Sequence, residues 1–234
     1  MAIAFIVLLV IAYLVGSIPT AYIAGRWRRG IDVRQYGSGN VGASNLVRLK
    51  ARWLVVLVTI FDIGKGILMV WAAQAAGLSI AQQVAVGLAA IIGHNWPVFL
   101  RFNGGRGVLT TAGVAFFLPL ANGPLVPWAL IVSLALVAIF TFGFHNLPVG
   151  TIAGMAALPL VSWLAGEPLA LTLGFSAMFL LMVIRRLTAS RTSLTASVST
   201  GELLINRLLL DRDIRDKEAW IYRKPAQAPK KDKG

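Results

Sequence analysis

Two short stretches of this sequence carry the residue types that hold phosphate. The first reads Gly37-Ser38-Gly39-Asn40-Val41-Gly42-Ala43-Ser44-Asn45 and is followed by Arg48. Gly37, Gly39 and Gly42 allow backbone amides to crowd around an anion, because a residue without a Cβ reaches conformations closed to the others. Ser38, Asn40 and Asn45 add neutral hydrogen-bonding groups. Arg48 adds a planar fork that matches pairs of phosphate oxygens. A helix start after the loop would add a favourable dipole. The competing reading is a flexible loop whose Gly and Asn only make turns.

The second stretch repeats these ingredients. It reads Gly93-His94-Asn95-Trp96-Pro97, then Asn103-Gly104-Gly105-Arg106-Gly107, then Thr110-Thr111. Two such cradles on one side of a molecule suit a substrate with phosphate groups and a lipid tail. His94 is a candidate general base or phosphate partner; the other reading is a helix-terminal His bonded to a backbone carbonyl. Asp62 and Lys65 lie at i and i+3 inside an apolar run, where ionisable groups are costly. They form either an internal ion pair that pins the helix or, for Lys65, part of a cationic rim. His145 and Asn146 open a third loop that lacks a Gly cradle. No Ser-His-Asp triad can be assembled. Without any Cys there is no disulfide framework and no thiolate chemistry, and two His without clustered carboxylates argue against a tightly bound structural metal.

The elements that position these residues must be membrane helices. Of 234 residues, 57% are hydrophobic and only 13% charged, with a mean hydropathy of +0.76. That excludes an ordinary soluble domain and a disordered chain. Apolar stretches cover about 1–24, 53–76, 80–100, 108–123, 125–143, 148–165 and 168–184. No charge precedes Arg26, which favours a retained helix over a signal peptide. Strand alternation is absent, so helices are what satisfies the backbone in lipid. The expected fold is an all-α polytopic membrane bundle of about seven transmembrane helices.

Charge sets the expected orientation. The chain carries 22 Lys+Arg against 9 Asp+Glu; twelve basic residues follow Ile184 and seven lie between Arg26 and Arg52. This pattern fits basic cytoplasmic segments better than nucleic-acid binding. With an odd number of spans, the N-terminus is outside and the C-terminus cytoplasmic. Residues 1–184 read as the transmembrane domain and 185–234 as a basic cytoplasmic tail. Within the tail, residues 202–210 suggest an amphipathic helix on the inner leaflet, and the composition from Pro225 suggests disorder. Paired repeats of the transporter kind are not found.

At these residues the sequence resembles the bacterial membrane glycerol-3-phosphate acyltransferases that use acyl phosphate, the PlsY type. The likeness runs through Gly16-Ser17-Ile18-Pro19-Thr20-Ala21-Tyr22, Ile31-Asp32-Val33-Arg34, Gly37 to Arg48, and Asp62-Ile63-Gly64-Lys65-Gly66. It resumes at Gly93-His94, Pro97-Val98-Phe99, Phe102 and Gly104-Gly105-Arg106-Gly107-Val108. The resemblance implies a seven-helix fold in the cell membrane, the inner membrane of an enveloped cell, with the site on the cytoplasmic side. It also implies transfer of a fatty acyl group from acyl phosphate to glycerol 3-phosphate, giving lysophosphatidate for phospholipid biosynthesis, with no metal or organic cofactor. Implied partners are the two substrates, membrane lipids and the enzyme that produces acyl phosphate, with no nucleic acid. Ser38 and Arg48 look like the family's first-loop substrate residues. The expected site is then Ser38 and His94 as catalytic groups, with Gly37, Gly39, Asn40, Gly42, Asn45, Arg48, Lys65, Gly104, Gly105, Arg106 and Gly107 around the substrates. Arg106 stands where the family usually has Lys. In the last motif only Arg207-Leu208-Leu209 align, and the family's His and Asn meet Gly201 and Leu204. The alternatives are a relative with another acyl donor or acceptor, or a non-catalytic lipid-binding or transport protein.

Overall fold

The computed structural model describes residues 1–47, 52–123, 126–190, 195 and 198–223. Arg48 and the stretch from Pro225 lie outside them. Every described regular element is helical. The long helices are α1 (Ala2–Gly16), α2 (Thr20–Arg29), α4 (Arg52–Ala75), α5 (Ile80–Asn95), α6 (Val108–Asn122), α7 (Trp128–Ala138), α8 (Leu147–Leu164), α9 (Leu169–Leu187) and α10 (Thr200–Leu210). Two short ones, α3 (Ala43–Val47) and α11 (Lys217–Ile221), belong to loops near the site.

All seven apolar stretches fold as helix. Among the described residues, five segments are long and apolar enough to cross a membrane: Ala2–Arg28, Trp53–Ala75, Ile80–Leu100, Leu147–Leu164 and Leu169–Leu187. The segments Val108–Asn122 and Trp128–Gly143 are apolar but shorter. Outward side chains such as Ile3, Ile60, Leu160 and Leu173 are more than half exposed, which suits lipid as the surrounding solvent. The first stretch is not one unbroken helix. Pro19 disfavours helical backbone at Ile18, so α1 stops and α2 restarts from Thr20.

Small residues set the distances between helices. A Cβ on Gly16 would strike the backbone of Ala90, and one on Gly93 would strike Tyr13, so α1 and α5 touch backbone to backbone. Gly66 and Gly113 do the same for α4 and α6 against Thr110 and Ile63. In lipid, where apolar burial between helices gains little, such close packing is a main source of association. It also brings Gly16, Asp62, Lys65 and His94 from three helices to one point. A separate core of Val114, Leu118, Leu158, Phe175 and Met178 joins α6, α8 and α9.

The tail is packed onto this bundle. In α10, Leu203, Asn206 and Arg207 are buried, while Leu204, Ile205 and Leu209 point outward. The Arg207 guanidinium donates to Asp213 Oδ1 (2.7 Å) and to the Leu187 carbonyl (2.9 Å), tying the tail to the end of α9. Arg186 adds bonds to the carbonyls of Leu208 (2.7 Å) and Pro148 (3.0 Å).

Candidate functional site

The first glycine loop is shaped by its own polar residues. Asp32 accepts from the Arg34 backbone (3.0 Å) and forms a forked ion pair with its guanidinium (2.6 Å at the shorter arm). Asn45 is buried, and its amide donates to the carbonyls of Val33 (2.9 Å) and Tyr36 (3.1 Å). Asn45 therefore braces the loop; its donors face protein carbonyls. Three of the loop amides are committed too. The Gly37 N–H donates to the Arg223 carbonyl (3.1 Å), Gly39 to Tyr36 (3.0 Å) and Asn40 to Ser38 Oγ (3.3 Å). The glycines serve shape rather than anion donation: Gly37 and Gly39 have φ of 55° and 69°. What the loop presents to open space is Ser38, Asn40 and Gly42, which line a cavity of about 670 Å³.

The second loop is held from below by a buried arginine. Arg185, near the end of α9, donates from Nε to the Gly105 carbonyl (3.0 Å) and from Nη2 to the Gly104 carbonyl (2.9 Å) and Asn103 Oδ1 (3.3 Å). The Gly105 N–H donates to the His94 carbonyl (3.1 Å). A Cβ at Gly104 would strike the His94 carbonyl and Pro97, and one at Gly105 would strike the His94 imidazole. Gly107, at φ 72°, lets the chain turn into α6. Arg106 is left as the charge facing the cavity. Its Nε donates to Asp211 Oδ1 (2.7 Å) and its Nη1 to the Arg185 carbonyl (3.4 Å).

Beneath both loops lies a cluster of ionisable groups. The Lys65 ammonium reaches Asp62 Oδ1 (2.8 Å), His94 Nδ1 (2.9 Å) and the Gly16 carbonyl (3.1 Å). Thr20 donates to the same Asp62 oxygen (2.9 Å). Asp62 and Lys65 are 1% and 3% exposed, so each relies on the other in place of water. Asp62 and His94 line the large cavity; Lys65 is positioned behind them. Lys65 thus takes the internal ion-pair role rather than the rim. With Nδ1 accepting from the ammonium, the neutral imidazole carries its proton on Nε2 and acts as a donor. His94 is bonded to Lys65 rather than to Ser38. His145 also lines the cavity and sits at φ 51°.

The cavity's lining is of two kinds: Ser38, Asp62, His94 and Arg106 are polar or charged, while Leu130, Leu134, Val137 and Leu158, on α7 and α8, are apolar. A recess of about 180 Å³ adjoins it, lined by residues that include Arg34, Ser38, Asn40, Arg106, Arg185 and Arg223. Ser38, Asn40 and Arg106 belong to both spaces. Gly201 and Leu204 are exposed on α10 and line neither. The tail residues in the large cavity that follow them are Leu210, Asp211, Arg212, Lys217, Trp220 and Ile221. Sequence reading missed Arg185, Asp211 and Arg223. Arg185 resembles any basic residue at a span end, and contacts across such separations leave no local signal.

An apolar chamber joined to an arginine-lined recess, inside a bundle of membrane-length helices, defines a protein that handles a phosphorylated molecule together with a lipid tail. The chain belongs to the glycerol-3-phosphate acyltransferase family, whose model matches residues 6–196. It is 46% identical over 229 residues to Glycerol-3-phosphate acyltransferase 4 of Dehalococcoides mccartyi (strain CBDB1), covering 95% of each chain. It is 47% identical over 235 aligned residues to Glycerol-3-phosphate acyltransferase 5 of Dehalococcoides mccartyi (strain ATCC BAA-2266 / KCTC 15142 / 195), covering 97% of each. The crystal structure of PlsY (YgiH), an integral membrane glycerol 3-phosphate acyltransferase in its glycerol 3-phosphate form, has a TM-score of 0.72 at 28% identity. It covers 91% of this chain and 95% of that one.

Proposed function

We propose that this chain transfers a fatty acyl group from acyl phosphate to a hydroxyl of glycerol 3-phosphate. The observation that carries this reading is the shared wall of Ser38, Asn40 and Arg106 between an apolar chamber and a cationic recess. The acyl chain occupies the chamber and the acceptor phosphate the recess. The two reacting groups then meet at Arg106, Ser38 and His94. The acceptor oxygen bonds to the acyl carbonyl carbon, and the bond from that carbon to the donor's phosphate oxygen breaks. The hydroxyl proton leaves with inorganic phosphate. Acyl phosphate is a mixed anhydride with a good leaving group, so positioning and charge neutralisation supply most of the catalysis.

The residues divide the work. Arg106 neutralises phosphate, held at a fixed angle by Asp211. Arg48, the family's first-loop arginine, is its counterpart on the other loop. His94, donating from Nε2, stabilises negative charge as it grows on oxygen. Ser38 hydrogen-bonds substrate oxygens. No protein base is required, because a substrate phosphate can take the proton.

Seven spans, an outside N-terminus and a cytoplasmic site complete the reading, supported by the basic segments flanking the loops and following Ile184. Single Cys residues placed near Met1 and after Ile184 are expected to label from opposite sides. Labelling from one side would overturn the odd count. The decisive test of function incubates purified protein with glycerol 3-phosphate and either acyl phosphate or acyl-CoA. Lysophosphatidate from acyl phosphate is the expected result. Product from acyl-CoA alone, or from neither, sinks this donor assignment.

A further inference from the structure

The family match ends at residue 196, yet the chain continues and returns to the site. Arg223 lies 186 residues beyond Gly37, and the two backbones and one side chain interlock. The Arg223 carbonyl accepts from the Gly37 N–H (3.1 Å), while its Nε donates to the Gly37 carbonyl (3.1 Å). Its Nη2 donates to the Arg34 carbonyl (3.3 Å), and the guanidinium stacks near Trp220, 5.7 Å from the ring centre. Trp220 is itself only 4% exposed. These contacts fix a guanidinium in the wall of the 180 Å³ recess.

The charge balance of that recess matters. Arg34 is paired with Asp32, and Arg106 is oriented through its Nε by Asp211 toward the wall it shares with the large cavity. Arg185 and Arg223 bond to carbonyls, which orient a cation without cancelling its charge. The nearby Asp213 carboxylate is bonded to Arg207 and also attracts the Arg223 charge, which burial nevertheless leaves under-compensated. Among the described residues, no carboxylate lines the recess itself. Arg185 faces the second loop, so Arg223 is the cation that the first loop's side of the recess holds ready for an anion. The space suits a small phosphorylated triol and is too small for an acyl chain.

We propose that Arg223, from the tail beyond the family match, is a substrate-binding residue that sets selectivity for a phosphorylated acceptor. This rests on the acyl-transfer reading above. It also gives the tail a task that the exposed Gly201 and Leu204 do not perform: it returns a polar side chain to the site from further along the chain.

The test uses the full chain in detergent micelles. Glycerol 3-phosphate binding is measured by calorimetry, and acyl transfer from acyl phosphate is followed with glycerol 3-phosphate or with glycerol as acceptor. Arg223→Gln is expected to raise Kd and KM for glycerol 3-phosphate about tenfold or more. KM for acyl phosphate and kcat/KM for glycerol should stay within about twofold. Arg223→Lys, which keeps charge without the fork, should fall between. Equal losses for both acceptors would make Arg223 a loop support and overturn the proposal. So would unchanged Kd in Arg223→Gln, or no binding by the wild-type chain. Wild-type binding that Arg223→Gln weakens, without any acyl transfer, would strike the acyl-transfer reading and leave the phosphate subsite standing.

Discussion

The two glycine loops look alike in sequence and are built on different principles. The loop at Gly37 to Gly42 is braced by its own Asp32, Arg34 and Asn45, and closed from outside by Arg223 of the tail. The loop at Gly104 to Gly107 has no such internal polar frame. It leans on Arg185 from α9 and on the His94 carbonyl. Amides expected to face an anion are bonded to protein oxygens, three in the first loop and that of Gly105 in the second. The lesson is that glycine here permits close approach and positive φ, and arginine side chains carry the charge. Ser38 to Asn40 of the first loop are half-buried, so water can replace a lost bond there; Gly104, Gly105 and Gly107 of the second are buried, where it cannot.

The sharpest way to break that comparison is to remove each brace. Arg185→Met leaves two buried carbonyls and the half-buried Asn103 amide oxygen without donors and is expected to cost about 3 kcal/mol of stability or more. Arg223→Gln, on a half-buried group, should cost less than about 1 kcal/mol while changing acceptor binding. Thermal unfolding of the two variants in one detergent checks this. Equal destabilisation would mean that the loops are held alike.

Next in size come the two imidazoles at the cavity. His94→Ala removes a donor from the second loop's base and is expected to lower kcat about 10²- to 10³-fold. His145→Ala should be mild, because His145 is exposed and outside the Lys65 cluster. A larger effect at His145 would move the catalytic donor to the third loop. Arg106 follows. Arg106→Ala should lose at least about 30-fold in kcat/KM, the low end for removing a charge-assisted contact to a buried anion. Arg106→Lys, the family's usual residue, should keep most activity. If Lys proved as poor as Ala, the bond from Arg106 Nε to Asp211 would matter more than the charge.

How far the sequence disclosed this arrangement depends on range. The helices were legible because an apolar run of membrane length has few other fates, and the Asp62–Lys65 pair because i and i+3 share a helix face. The break before Thr20 was harder to see: Ser17-Ile18-Pro19 hardly dents the hydropathy while Pro19 ends the helix. Asn45 was readable as polar and loop-borne, but its partners Val33 and Tyr36 depend on how the loop closes. Arg185 and Arg223 were invisible as site residues. Their partners lie about 80 and 186 residues away, and only the packing of α9 and the tail brings them together. The seven stretches located Gly104 to Gly107 near the membrane surface, yet could not say that the Gly105 amide was already bonded to the His94 carbonyl.

The smallest expected effect separates the loops by acid. The Asp32 carboxyl lies below its ordinary range, first because the Arg34 side chain bonds its ionised form, with partial burial opposing. A depressed folded value stabilises the loop above the unfolded pKa, about 3.9, and that contribution disappears as pH falls through the lower folded value. From pH 5 to 8 the stability difference between wild type and Asp32→Asn should therefore be flat, and below about pH 4 it should shrink. Asp32 is buried but Arg34 remains partly open to water, so the full difference should be on the order of 1 kcal/mol. The second loop's brace has no such dependence, because Arg185 bonds carbonyl and amide oxygens that do not titrate. Hydrogen exchange of the Arg34 and Gly105 amides, corrected for the intrinsic pH effect, reads the two loops side by side. Acid should loosen Arg34 first. If Gly105 loosened at the same pH, the loops would share one opening event, and the independence inferred from their separate braces would fail.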